Sequence, residues 1–226
     1  MAAIVAPNIV TDGLVACWDA GNRKSYPGAG EVWTDVAAGN NAALQNYDEG
    51  DFSSDDMGYI ALDGTDQYAE VPGAGMDFRD KMSLFVWVRF DNTEISGWTN
   101  KGKASEAQYG LEITGGGNFA CGIYTGGWTG TSSSFYINAG RWLFLGFTYD
   151  RVNIKLYANG SLQAENAETD AISGDSTPFN IGAGSWGGSA PSWMDGDMAA
   201  VYAYNKGLTA AEVLQNYNAT KRRFGL

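Results

Sequence analysis

The chain has 226 residues, of which 26 are acidic and 14 basic, and it contains no histidine. The net charge of -12 argues against a nucleic-acid partner, because phosphate binding needs a positive surface. Without histidine, catalytic triads that use a histidine base are excluded, as are most zinc sites. The 31 glycines, roughly twice the usual share, predict many short strands joined by turns.

The N-terminal half shows no targeting or membrane signal. Its first residues lack the basic region of a signal peptide, and no apolar run has the length of a membrane span. We therefore expect no signal peptide and no membrane insertion. Residues 14–19 predict a first strand. Residues 59–62 and 67–71 predict two further strands that form a hairpin around the turn at 63–66.

Two long apolar segments predict the centre of a sheet. Residues 82–90 and 142–149 are both too short for a solitary helix and apolar on both faces, so we expect neighbouring strands with covered surfaces on each side. Residues 154–158 then alternate between apolar and polar side chains, which predicts a strand with one buried face. Asn159-Gly160 supplies the positive φ angles of a tight hairpin turn into another strand.

The remaining segments complete a β protein with one helix. Glycine clusters divide residues 98–136 into three or four short strands. A capping box of Thr209 and Glu212 predicts a C-terminal helix over 209–222, followed by a tail at 223–226. These elements predict an all-β, two-sheet antiparallel jelly-roll sandwich that forms a single domain over residues 1–226.

The two cysteines, Cys17 and Cys121, each lie in an apolar, strand-like run. Buried thiols that pack as small hydrophobic side chains are the favoured interpretation. A disulfide between them is the alternative, since the sequence does not give the distance between their Cα atoms.

Four segments, taken in order, resemble the laminin-G-like branch of the concanavalin A-like lectin/glucanase superfamily: 59–68, 82–88, 142–160 and 194–213. The resemblance implies the jelly-roll sandwich. The two ends, 13–28 and 214–226, are similar to the ends of laminin-G-like proteins in the virions of marine tailed phages. This second resemblance implies a virion protein that assembles in the host cytoplasm, with other capsid or tail proteins, or further copies of itself, as partners.

The expected function is that of a non-enzymatic virion component, such as a capsid decoration, an appendage or a fibre protein, which uses its lectin-like fold to attach to host surface glycans. A free carbohydrate-binding module is the alternative. A glycoside hydrolase is a further alternative, but it requires paired carboxylates on one strand. Neither Glu49-Gly-Asp51 nor the acidic stretch 165–170 provides the alternating pattern of the superfamily's glucanases.

The resemblance also implies a calcium site at one end of the sandwich. Asp63 and Asp197 each lie in a glycine-containing turn, and carboxylates on flexible loops suit this cation. Ordinary turn aspartates that accept hydrogen bonds from their own backbone are the alternative.

Five aromatic residues in or beside glycine-rich loops are candidates for stacking on a sugar ring: Trp98, Tyr124, Trp128, Trp186 and Trp193. They could equally cover the ends of the sandwich or pack against a neighbouring subunit.

The basic run Lys221, Arg222 and Arg223 follows the helix in an otherwise acidic chain, which indicates a segment that docks onto an acidic neighbour. A solvated helix end is the alternative.

Overall fold

The computed structural model describes residues 7–93, 96–102, 108–114, 117–174, 177–184 and 192–226. Two antiparallel sheets face each other across one core. We call them the back sheet and the front sheet, and number the strands in chain order. The prediction of an all-β, two-sheet antiparallel sandwich with a short C-terminal helix is confirmed.

The back sheet is built around the two long apolar segments. In spatial order its strands are Ser161–Ala167 (β14), Asn153–Ala158 (β13), Leu143–Tyr149 (β12), Met82–Phe90 (β7), Asp195–Tyr204 (β18), Tyr59–Asp63 (β5) and Phe52–Ser53 (β4), and Leu14–Asp19 (β1) also pairs with β18.

The front sheet contains the shorter, glycine-rich strands. In spatial order they are Trp128–Tyr136 (β11), Asn118–Tyr124 (β10), Tyr109–Thr114 (β9), Ser96–Lys101 (β8), Phe179–Ile181 (β15), Tyr68–Val71 (β6), Ala42–Gln45 (β3) and Val32–Trp33 (β2). A separate two-stranded ribbon pairs Ala183–Gly184 (β16) with Ser192–Trp193 (β17).

The pairing of β7 with β12 confirms that the two apolar segments are neighbours. Every residue of β12 is buried, because the strand is covered on both faces. Leu145 and Phe147 point into the core between the sheets, while Phe144 packs on the outer face. Gly146 lets the Phe85 ring lie against the strand, since a Cβ there would lie 2.3 Å from both that ring and the Leu84 carbonyl.

The predicted hairpin of residues 59–71 is wrong. β5 pairs with β18 and β4 in the back sheet, whereas β6 pairs with β15 and β3 in the front sheet. The turn at 63–66 therefore carries the chain from one sheet to the other. Alternating burial indicates that one face of each strand is covered, but it does not identify the partner strand.

The helix, Ala210–Thr220 (α1), begins as the capping box predicts. The Thr209 hydroxyl accepts a hydrogen bond from the Glu212 backbone N–H, and the Glu212 carboxylate accepts one from the Thr209 backbone N–H. A short 3-10 helix, Lys221–Phe224, follows directly. The helix thus ends two residues earlier than predicted, and the chain stays ordered beyond it.

The tail predicted over 223–226 packs against the protein through Phe224. Phe224 is 9% exposed, and its ring stacks on Trp87 with centroids 4.2 Å apart. The Arg223 guanidinium lies 2.6 Å from the Asp19 carboxylate and also donates to the backbone carbonyl of Asp56. The buried Phe224 ring, directly after the basic run, holds this run against the back sheet.

Docking through the basic run is therefore restricted. Arg223 already pairs within the chain, and the Lys221 ammonium lies 5.0 Å from the centroid of the Tyr217 ring. Contact of Lys221 and Arg222 with a partner protein stays a prediction.

Both cysteines are free and buried, which confirms the interpretation as buried thiols. Burial raises the pKa of Cys17 to about 12 and also raises that of Cys121. Neither thiol is a nucleophile at neutral pH. Separately, no helix in the described part of the chain is long and apolar enough to cross a membrane.

Candidate functional site

The outer faces of the two sheets differ. The outer face of the back sheet is buried, because Trp87 and Phe144 pack with Val213 of α1 and with Phe224. The outer face of the front sheet carries small and polar side chains at β9 to β11. The described helix therefore covers the back sheet and leaves the outer face of the front sheet at β9 to β11 as the place to look for a ligand site.

Strand alternation determines which residues reach this outer face. Leu111 on β9 and Phe119 on β10 belong to the core between the sheets. Their alternate neighbours Gly110, Glu112 and Ala120 therefore point outwards. This pattern gives the outer face a floor of small side chains with one acidic group.

An open cleft of about 310 Å³ lies on this face across β9, β10 and β11. The small residues lower its floor, and polar or aromatic side chains form its sides. Residues around it include Glu112, Thr114, Ala120, Trp128, Gly130 and Ser132.

Glu112 is the ionisable group of the cleft. Its cross-strand neighbours are Gly97 and Ala120, which offer no side-chain donor, and the side chain is only 8% exposed. Burial raises the pKa of this carboxyl to about 7. Within the described part of the chain no side chain pairs with it.

Trp128 supplies the aromatic side of the cleft. A Cβ atom at Gly122 would lie 2.5 Å from the indole, with three ring atoms almost equally close. The ring therefore lies against the backbone of β10, where only glycine leaves room for it. An aromatic ring held in this way is preorganised, which favours stacking on a sugar ring.

The structure separates the predicted aromatic residues. Tyr124 and Trp128 are cross-strand partners at one end of the front sheet. Trp193 contacts Tyr68 instead, with centroids 5.3 Å apart. Tyr68 lies on β6, which is four strands from β10, or roughly 19 Å across the sheet. Trp186 lies outside the described residues.

Trp98 is unavailable for stacking on a ligand. It is fully buried, with Phe90 and Phe119 as ring neighbours at 5.3 and 6.2 Å. The prediction that it lies at the glycine-rich rim is wrong, because its strand turns the indole into the core.

Asp63 and Asp197 do not fit a shared calcium site. The Asp63 carboxylate accepts hydrogen bonds from the backbone N–H groups of Thr65 and Asp66, as an ordinary turn aspartate does. The Asp197 carboxylate lies 2.6 Å from the Arg89 guanidinium, a cation that competes with any metal.

Among the described residues, no group of three or more acidic, cysteine or histidine side chains converges as a metal site would require. Calcium binding at Asp63 alone stays a prediction. A calcium-dependent rise in melting temperature that Asp63→Ala abolishes would support it.

Sequence reasoning missed Glu112. The signal was present in Tyr109–Thr114, where Gly110, Glu112 and Thr114 alternate with apolar residues. That alternation predicts an outward carboxyl between small neighbours. The clustering of aromatic residues near glycines drew attention to the loops instead.

Comparison with known proteins gives the family. Residues 63–214, more than half of the chain, match a laminin-G family described as the concanavalin A-like lectin/glucanases superfamily. The chain belongs to this superfamily. A search of curated proteins returned no match.

Solved structures with the same concanavalin A-like fold include carbohydrate-associated proteins. Domain 4 of AbnA, an extracellular GH43 arabinanase from Geobacillus stearothermophilus solved in complex with arabinotriose, is 17% identical, with a TM-score of 0.63 over 90% of this chain and 98% of that one. The Trypanosoma rangeli sialidase in complex with sialic acid is 18% identical, with a TM-score of 0.67 over 98% of this chain. This chain spans only 36% of the sialidase.

The binding domain of Paraclostridial Mosquitocidal Protein 1 is a third structure with this fold. It is 15% identical, with a TM-score of 0.67 over 92% of this chain and 52% of that one. At these identities the likenesses establish the concanavalin A-like fold alone. What the present chain binds must be argued from its own cleft.

Proposed function

We propose that the protein is a non-catalytic carbohydrate-binding protein and that its glycan binds in the front-sheet cleft between Glu112 and Trp128. The observation that carries this proposal is the combination of a buried carboxyl without a described partner and a preset indole on the same cleft. Sugar rings offer an apolar face to an indole and hydroxyl groups to a carboxyl.

The shape of the cleft supports this ligand class. Small side chains at Gly110, Ala120 and Gly130 leave the backbone of three strands close to the surface. A flat sugar ring can therefore approach Glu112, a lining residue that is 8% exposed. The cleft is also open, which suits an extended oligosaccharide better than an enclosed small molecule.

The composition of the lining favours binding over hydrolysis. Glycosidases generally use two carboxyl groups on opposite sides of the scissile bond. Among the described residues of the cleft, Glu112 is the one carboxyl. The AbnA domain, solved in complex with arabinotriose, shows that a protein of this fold can hold a sugar, which supports the same use here.

Replacing Trp128 by alanine should weaken glycan binding roughly tenfold or more, because the stacked indole is lost. A glycan array would identify binding oligosaccharides, and isothermal titration calorimetry would give the two dissociation constants. Trp193→Ala is the control, since that half-buried residue lies on the separate β16–β17 ribbon and its ring contacts Tyr68 of β6.

The Trp193→Ala variant should bind like the wild type, and both variants should keep the wild-type circular dichroism spectrum. Unchanged binding by Trp128→Ala, or the absence of any glycan ligand for the wild type, would refute the proposed function.

We further propose that the protein displays this cleft on a virion, with other capsid or tail proteins, or copies of itself, as neighbours. Residues near both ends of the described chain meet beside the back sheet: the Val10 backbone N–H donates to the Asn216 side chain at 2.8 Å, and Gln215 donates to the Asn8 carbonyl. Attachment on this side would leave the front-sheet cleft facing outwards.

Electron microscopy of assembled particles would test the virion role. We expect density for the domain on the particle surface, with the back sheet towards the particle. Recovery of the protein only as a free species, separate from particles, would contradict this role and leave the free carbohydrate-binding module as the function.

A further inference from the structure

The charge of the cleft bears on which glycans it can accept. Glu112 is acidic, and the other side chains around it at Thr114, Ala120, Trp128 and Ser132 carry no charge. No lysine or arginine lines the described part of the cleft. A carboxylate or sulfate on a sugar would therefore find no cation to pair with.

We propose that Glu112 makes the cleft selective for uncharged glycans and against sugars that carry a carboxylate or sulfate group. This inference rests on the proposed function, because it assumes that the glycan lies in the cleft. An anionic sugar next to the ionised carboxyl would meet a like charge, and because Glu112 is only 8% exposed, little water screens that repulsion. An uncharged sugar meets no such barrier, since its hydroxyls can donate to the carboxylate or accept from the protonated acid.

Among the described groups around Glu112, none other changes its charge near neutral pH. Gly97 on β8 and Ala120 on β10 flank it, and Ser132 of β11 lies beyond Ala120. The Cys121 thiol of β10 interacts electrostatically with Glu112, but burial holds the pKa of this thiol far above neutral, so that it stays uncharged. The charge of the described lining therefore changes only through Glu112.

The sign of the pH effect follows from this arrangement. The pKa of Glu112 is about 7. At pH 5.5 the carboxyl is mostly neutral and tolerates an anionic sugar, whereas at pH 8.5 it is mostly ionised and repels one. The preference for the uncharged member of a glycan pair should therefore increase as the pH rises through 7.

A glycan array with matched pairs would test the proposal, for example lactose with sialyllactose and neutral with sulfated oligosaccharides, probed at pH 5.5 and 8.5. For every pair in which either member binds, we expect the wild type at pH 8.5 to favour the uncharged member at least roughly tenfold. At pH 5.5 this ratio should be several-fold smaller. Titration calorimetry on the tightest pair would measure it.

Glu112→Gln is the matched variant, since it keeps the size and hydrogen-bonding ability of the side chain without its charge. The variant should bind both members of a pair with a ratio close to one that does not depend on pH. Equal or tighter binding of the anionic member by the wild type at pH 8.5, or an unchanged ratio in Glu112→Gln, would overturn the inference.

Either of those results could occur while Trp128→Ala still weakens glycan binding, in which case the proposed function survives. Failure to bind any glycan, or binding that Trp128→Ala leaves unchanged, would remove the proposed function and the inference together.

Discussion

Replacing Phe224 by alanine should lower the free energy of unfolding by about 3–5 kcal/mol. The ring is 9% exposed and stacks on Trp87 at 4.2 Å and beside Trp142 at 4.7 Å, so its removal leaves a cavity between two large side chains. The loss should also loosen the Lys221–Phe224 turn and with it the contact between Arg223 and Asp19.

Urea unfolding monitored by tryptophan fluorescence would measure this effect. Leu226→Ala is the control, because Leu226 lies two residues further on with 51% of its surface exposed. It should change stability by less than about 0.5 kcal/mol. If Phe224→Ala were as mild as Leu226→Ala, the C-terminal residues would be a dispensable tail after all.

Glu112→Gln should stabilise the protein at alkaline pH, by up to about 3 kcal/mol. Burial raises the pKa of the carboxyl from its ordinary 4.5 to about 7 in the folded state. Each pH unit between these two values corresponds to about 1.4 kcal/mol. Below pH 4.5 the carboxyl is protonated in both the folded and the unfolded state, so it does not lower the free energy of unfolding.

The loss of unfolding free energy grows as the pH rises from 4.5 to 7 and is constant above 7, because the unfolded state releases the proton at a lower pH than the folded state. The wild type should therefore lose stability relative to Glu112→Gln across this window, while the two proteins should be similar at pH 4. Urea unfolding at pH 4, 6 and 8.5 would show the difference.

Glu165→Gln is the control, since Glu165 lies exposed on the edge strand β14. It should show a pH-dependent change of no more than about 0.5 kcal/mol. A Glu112→Gln variant that gained nothing at pH 8.5 would mean that the carboxyl is better solvated or paired than the structure indicates.

The cost of Glu112 also bears on function. A carboxyl whose pKa is raised by burial is expected to lower the free energy of unfolding when it is ionised. Groups of this kind are characteristic of binding sites, where affinity for a ligand is obtained at the expense of stability. If Glu112→Gln both gained stability at alkaline pH and lost its preference for uncharged glycans, the same carboxyl would account for the stability cost and the selectivity.

Local patterns predicted the parts of the fold that depend on nearby residues. The long apolar runs at 82–90 and 142–149 can only be covered strands, and both lie at the centre of the back sheet. The Asn159-Gly160 turn has the positive φ angles expected, 50° and 79°. The Thr209 capping box fixes the start of α1 because its hydrogen bonds join residues three apart.

Features that depend on distant residues could not be read in this way. Whether β5 pairs with β6 or with β18 depends on a strand more than 130 residues away, and alternation along β5 is the same in both cases. Trp98 lies near glycines in the sequence, but the register of β8 turns it inwards. The anchor at Phe224 depends on a gap between Trp87 and Trp142 that only the folded structure creates.

The cleft itself combines local and distant information. Outward alternation at Glu112 is visible in the sequence. The position of the Trp128 indole against Gly122 depends on the register between β10 and β11. In this register Gly122 pairs with Gly130, and Tyr124 pairs with Trp128. The carboxyl and the ring become one site only when three strands align.

The most direct test of the proposed cleft is a titration of ¹⁵N-labelled protein with the tightest-binding uncharged oligosaccharide from the array, followed through the tryptophan indole N–H signals. The indole of Trp128 should shift with saturation. The indole of Trp87, which donates to the Thr220 hydroxyl at 2.7 Å beneath α1, should not. Shifts at Trp87 with none at Trp128 would contradict glycan binding in the front-sheet cleft.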